Sequence, residues 1–157
     1  MEELTQSMKI VLANHYALAL KGQYYHWNVE GSDFLQYHEF FSDFYNEVFG
    51  VVDRCAEEIR SIGAYAPGSF ERFMQLSEIS GENAILSANE MFTRLLSDIN
   101  IIQNSIMKAY NLAELASMHG YSNFMAERQS AFLKHSWMLQ SFLKKYKLCQ
   151  RNILTKH

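Results

Sequence analysis

Very little in this chain interrupts a helix. One proline stands in 157 residues, and seven glycines leave few places for a sharp turn. Long helices are therefore free to form. Two cysteines, Cys55 and Cys149, make no Cys-x-x-Cys pair, which removes both a disulfide framework and a thiolate zinc cluster from consideration. Free thiols suit a reducing compartment. No apolar run approaches the roughly 20 residues that cross a bilayer. The opening MEELTQSMK is acidic and polar where a secretory leader is basic and then apolar. The expected location is the cytoplasm, with no membrane partner. Neither an internal repeat nor a low-complexity tract is present, and one domain spanning 1–157 is expected.

The net charge of −3 conceals an asymmetry. Residues 144–157 (KKYKLCQRNILTKH) carry five of the fourteen Lys and Arg and no acid, so this tail is +5 and the rest of the chain −8. A basic tail on an acidic body can meet phosphates or anionic surfaces. A solvated helix end is the plainer account of the same charges.

Apolar residues make up 48% of the chain, and they recur at spacings of three and four in four stretches, the mark of amphipathic helices. The first runs from Leu4 to Tyr25 and the second from Phe34 to Ile62. The most regular is the third, from Ala88 to Ala116; the fourth extends from about Tyr121 to Tyr146. Gly31-Ser32-Asp33 separates the first two and Gly120 the last two, so each pair is expected to form an antiparallel hairpin. Between Gly63 and Ser87 lies the one long connection, with Pro67-Gly68 and a short apolar patch from Phe70 to Met74. It is long enough to cross the bundle lengthwise and to carry a small helix. Two hairpins joined by one crossover predict an all-α, ferritin-like four-helix bundle in up-down-down-up order.

Bundles of this kind commonly hold metal through Glu-x-x-His pairs on two helices. This chain has none. It has His26 near the end of the first helix, His38 near the start of the second, and Asp53 and Glu57 further along the second. His26 and His38 each lie about six residues from the turn, so an antiparallel hairpin sets them at one level. Asp53 and Glu57, at i and i+4, stand one above the other on one face. From His38 to Asp53 a continuous helix turns roughly 1500°, close to whole turns, so all three groups share a side, but they are roughly 22 Å apart. One ion cannot bridge that distance. A second copy packed antiparallel would bring its carboxylates to the first copy's imidazoles, and twofold symmetry would make two such sites. Two imidazoles and two carboxylates suit iron, zinc, manganese or cobalt.

The run HWNVEGSDFLQYHEFF followed by VVDRCAEEIRSIG closely resembles the signature of the Dps-type mini-ferritins, DNA-binding proteins from starved cells, and LKHSWMLQSFL resembles the family's last-helix motif. The resemblance implies a dodecameric shell built from dimers that oxidises Fe(II), preferably with hydrogen peroxide, and stores the ferric product, protecting DNA from oxidative damage. It places the catalytic, iron-binding ligands on His26 and His38 of one subunit and Asp53 and Glu57 of its mate; Zn(II) or Mn(II) could occupy the same site. Trp27, Tyr24, Tyr25, Tyr37 and Tyr45 are either core or shields for the site. The chain departs from the family pattern in three places. Ser42 replaces a carboxylate one turn after the second His, with Asp43 out of register. Met118 to Asn123 replaces an acidic run at the iron-entry pore, leaving Glu114 and Glu127. There is no Lys-rich N-terminal arm, so DNA contact would rest on Lys144, Lys145, Lys147, Arg151 and Lys156, strengthened by multivalency in a shell. The alternative reading is a DNA-coating shell with weak metal chemistry. His15 and His135 lie on apolar stripes and are expected to be core or interface residues with one satisfied nitrogen. Cys55 should point away from the ligands, and the eight Met should fill core gaps.

Overall fold

A computed structural model describes the backbone of residues 1–154 and the side chains of residues 1–144. The charges expected at Lys145, Lys147, Arg151 and Lys156, and the thiol of Cys149, lie outside the described side chains; Lys144 is exposed. Six helical segments occur among the described residues: α1 (Glu2–Asn28), α2 (Phe34–Gly50), α3 (Val52–Ser61), α4 (Phe70–Leu76), α5 (Ala88–Leu115) and α6 (His119–Leu154). The architecture is the expected all-helical, ferritin-like one. The α1/α2 and α5/α6 hairpins pack through α1 and α5, and α4 rides on the crossover, stacking Phe73 on Tyr16 of α1 at 4.8 Å.

The α5 stripe Ala88, Met91, Leu95, Ile99, Ile102 and Ile106 is buried in the core, as its 3–4 spacing requires. Phe92 is the aromatic hub, within 4.8–6.4 Å of Tyr37, Phe40, Phe41 and Phe142. The helix starts where a capping box forms between Ser87 and Glu90.

Three expectations change. The second helix is interrupted at Val51 (φ −103°, ψ −2°), directly after the exposed Gly50, and α3 resumes at once with Cys55 N–H donating to Val51 O at 3.0 Å. Glycine's low helix propensity puts the break there. The break between α5 and α6 is at Ser117 rather than Gly120, which sits inside the first turn of α6. Ser117 takes φ 57°. Its N–H donates to Glu114 O at 3.0 Å, and Met118 N–H donates to Ala113 O at 2.8 Å. This is a Schellman ending in which serine stands where glycine is usual. Gly63, at φ 83°, makes the same ending for α3. Nor do all the Met fill the core: Met8, Met91 and Met125 are buried, whereas Met1, Met74 and Met107 are exposed.

Polar pins fasten the crossover. Asn14 Oδ1 accepts from Glu78 N–H at 2.8 Å, while Asn14 Nδ2 donates to Glu78 at 3.0 Å and to Ser105 at 2.9 Å. Higher up, Tyr24 OH donates to Ala84 O at 3.1 Å, and Arg94 pairs with Glu82 at 2.6 Å.

At Gly22, α1 packs tightly against α2. A Cβ there would lie 2.8 Å from Phe44 Cδ1 and 3.2 Å from Tyr45 Cβ. One turn later on α1 stands His26, so the absent methyl helps set the spacing of the hairpin at the histidines. Gly22→Ala is expected to cost about 1–3 kcal/mol through overpacking, read as a lowered Tm.

Candidate metal centre

His26 at the end of α1 and His38 at the start of α2 meet face to face, ring centroids 3.7 Å apart and planes 19° from parallel. Each Nδ1–H donates to the other's backbone carbonyl at 2.8 Å. A carbonyl can only accept, so both Nδ1 atoms carry a proton, and in the neutral ring that tautomer leaves the Nε2 lone pair open. Locking the tautomer through the distal nitrogen is how proteins prepare imidazoles for a metal. The pair is bracketed by Phe34, stacked on His38 at 4.9 Å, and by Tyr45, edge-on to His26 at 5.5 Å. Both imidazoles are half-buried.

Asp53 and Glu57 lie elsewhere, one turn apart on the exposed face of α3. Within the described residues neither has a hydrogen-bond or ion-pair partner. Their neighbour Arg54 is engaged instead, with Glu127 at 3.0 Å, Glu58 at 3.9 Å and the Phe124 ring at 3.9 Å. The four residues do not come together in one chain: among the described residues no group of three or more His, Cys, Asp or Glu is spaced to hold a metal. The break at Val51 falls between His38 and Asp53, so the angular relation of a continuous helix does not apply across it.

The other residues singled out by sequence fall as follows. Tyr25 is fully buried, and burial, followed by the charge of Glu82, pushes its phenol upward. Tyr37 is also buried, Tyr24 and Tyr45 are partly covered, and Trp27 is 63% exposed. Cys55 faces the core, where burial pushes its thiol up to about 12. The two carboxylates near the Met118–Asn123 segment are both occupied. Ser122 and His119 donate to Glu114 and hold it below the usual range, and Glu127 is paired with Arg54. Asp43 is exposed.

One cluster was not visible in the spacing. Buried Arg128 of α6 makes a two-pronged pair with Glu47 of α2 and donates from Nε to His15 Nε2 at 3.2 Å. His135 Nε2 lies 3.1 Å from the same Glu47. His15 is core, as expected, but both of its nitrogens are used, since Nδ1–H donates to Val11 O at 2.8 Å. Only one nitrogen of His135 finds a partner. Burial works upward on Glu47, yet the hydrogen bonds from His135 and Arg128 outweigh it and lower the carboxyl to about 2. The signal that marks this cluster is a charged residue, Arg128, on the buried stripe Tyr121, Phe124, Phe132 and Leu139.

A helical bundle with one crossover and an imidazole pair at its hairpin defines a ferritin-like protein. The Ferritin-like domain model matches residues 6–149. The chain is 29% identical over 132 residues to the DNA protection during starvation protein of Brevibacillus brevis, covering 84% of this chain and 89% of that one. It is 28% identical over 139 residues to a nutrient stress-induced DNA-binding protein of Nostoc, covering 84% and 76%. The solved structure of Dps from Staphylococcus aureus superposes with a TM-score of 0.88 at 26% identity, over 91% of this chain and 96% of that one. The chain belongs to the ferritin-like family, and within it to the Dps-type mini-ferritins.

Proposed function

We propose that the protein is a ferroxidase and iron-storage subunit whose site is shared between two copies: His26 and His38 from one, Asp53 and Glu57 from the other. The observation that carries this reading is the division itself. Two imidazoles present free Nε2 lone pairs on one part of the surface, and two unpaired carboxylates stand on another. Leu20, Trp27, Leu35, Phe49 and Phe70 are each at least half exposed, and Leu20, Phe49 and Phe70 line one apolar groove with Tyr45, which lies edge-on to His26; exposed apolar clusters of this kind mark interaction surfaces. A second copy of this chain would cover this one. With Fe(II) as substrate, two imidazoles and two carboxylates neutralise the ion and leave open positions for an oxidant. Two Fe(II) reduce one hydrogen peroxide and two protons to two water molecules. Each iron gives one electron, so a second Fe(II) has to reach the bound peroxide before it leaves for hydroxyl radical to be avoided. Assembly of dimers into a dodecamer, storage of the ferric product and a cytoplasmic location belong to the same proposal. No helix among the described residues is long and apolar enough to cross a membrane.

Wild-type protein is expected to consume peroxide at one per two Fe(II). His38→Ala or Asp53→Ala should slow this by about two orders of magnitude, about 2.7 kcal/mol of barrier, with the native particle mass unchanged. Full activity in either variant would remove the site.

A second reading is favoured by the charge of the tail and the names of the two relatives: a DNA-binding shell in which Lys144, Lys145, Lys147, Arg151 and Lys156 meet phosphates. A gel shift that weakens steeply with salt and disappears on removing residues 144–157 supports it.

A further inference from the structure

We propose that His15, Arg128, Glu47 and His135 form an acid-sensitive latch that ties α6 to α1 and α2, and that protonation of His15 expels the Arg128 guanidinium and frees α6. The latch joins three helices through buried or partly buried side chains. α1 supplies His15, α2 supplies Glu47, and α6 supplies Arg128 and His135. It lies apart from His26 and His38, and it does not depend on the iron chemistry proposed above.

The geometry permits only one protonation state at His15. Its Nδ1–H is committed to Val11 O, and its Nε2 must accept from Arg128 Nε–H. A proton on Nε2 would set two donors and two positive charges face to face at 3.2 Å in a fully buried position. Arginine does not give up its proton, so the guanidinium has to leave. Its departure breaks both prongs to Glu47 and leaves that carboxylate with His135 alone. The groove beside the latch, about 190 Å³, is where the freed groups meet solvent, between Asp43 and Glu47 on one wall and Lys134 and His135 on the other.

Among the described residues no other neighbour is placed to take up the charge. Facing the latch from α3 are Cys55, whose thiol burial keeps neutral, and Arg54 and Glu58, which pair with each other. α2 adds Asp43 at the groove, and α6 adds Lys134 and the buried Tyr121. The buried carboxylate of α5, Asp98, is taken by Lys21. Burial, then the charge of Arg128, lowers His15 to about 4. A histidine held down in the fold stabilises it fully above its unfolded value near 6.5, and that contribution is lost as pH falls towards 4. The opening constant of α6 is expected to rise about 20-fold between pH 7 and pH 5.

Hydrogen exchange on the intact protein, read segment by segment from pH 7 to 4, tests the latch. Residues 121–139 of α6 should lose protection before the α5 core does. Labelled-imidazole NMR should show His15 taking up its proton over the same interval. His15→Gln, whose amide can accept from Arg128 and donate to Val11 O without titrating, should keep α6 protected at pH 5. Loss of α6 protection at the same pH in wild type and His15→Gln overturns the proposal, as does simultaneous opening of α5 and α6. If His15→Gln does not fold, the wild-type comparison decides: an α6 opening midpoint displaced from the His15 titration overturns it, and coincidence of the two supports it.

Discussion

Mixing two inactive variants should restore activity. One chain carries His26→Ala and His38→Ala, the other Asp53→Ala and Glu57→Ala, and each alone should oxidise Fe(II) no faster than about a hundredth of the wild-type rate. After the two are unfolded together and reassembled at equal concentration, random pairing makes about half of the dimers mixed. Each mixed dimer holds one complete site and one with no ligands left, because twofold pairing joins the imidazoles of either chain to the carboxylates of the other. About a quarter of wild-type sites should return, read as the initial rate of Fe(II) oxidation with peroxide. A site built within one chain would give none. The basis is the placement of an imidazole pair at the α1/α2 hairpin and a carboxylate pair on α3 with no common ion position in one chain.

The second large effect concerns stability. Lys21 and Asp98 form an ion pair at 2.6 Å whose side chains are 5% and 10% exposed. Lys21→Met should cost about 3–5 kcal/mol, because it leaves a carboxylate buried without its counter-charge. The double variant Lys21→Met/Asp98→Leu should recover most of that loss, since replacing both partners with apolar groups removes the desolvation penalty as well. Burial already raises the Asp98 carboxyl, with Lys21 opposing it. Without Lys21 it rises further. A carboxyl that takes up its proton more readily folded than unfolded stabilises the fold at low pH and loses that contribution as pH rises. The deficit of Lys21→Met should therefore be smaller at pH 4.5 than at pH 7. Urea denaturation of the three proteins at both pH values checks the size and the sign.

Much of this architecture is legible in one dimension because helices announce themselves by periodicity. The α5 stripe reads directly from the sequence and is buried almost residue for residue. His26 and His38 are also legible, since a short turn forces residues equidistant from it to the same level. The boundaries are less so. Gly120 is the obvious breaker in the sequence, yet α5 ends at Leu115, Ser117 takes the left-handed turn, and Met118 turns back to close the Schellman bond to Ala113. Gly50 interrupts the second helix although the apolar spacing continues across it.

Sequence alone determined the helices, the hairpins, the crossover and the pairing of imidazole with imidazole, because each follows from local spacing and chain connectivity. Tertiary structure decided the reciprocal hydrogen bonds that leave both Nε2 atoms open, the close approach at Gly22, and the engagement of Glu114 and Glu127 by neighbours. It also decided the latch. His15 and Arg128 are 113 positions apart, and the sign and burial of a charge become fixed only when the fold chooses its neighbours.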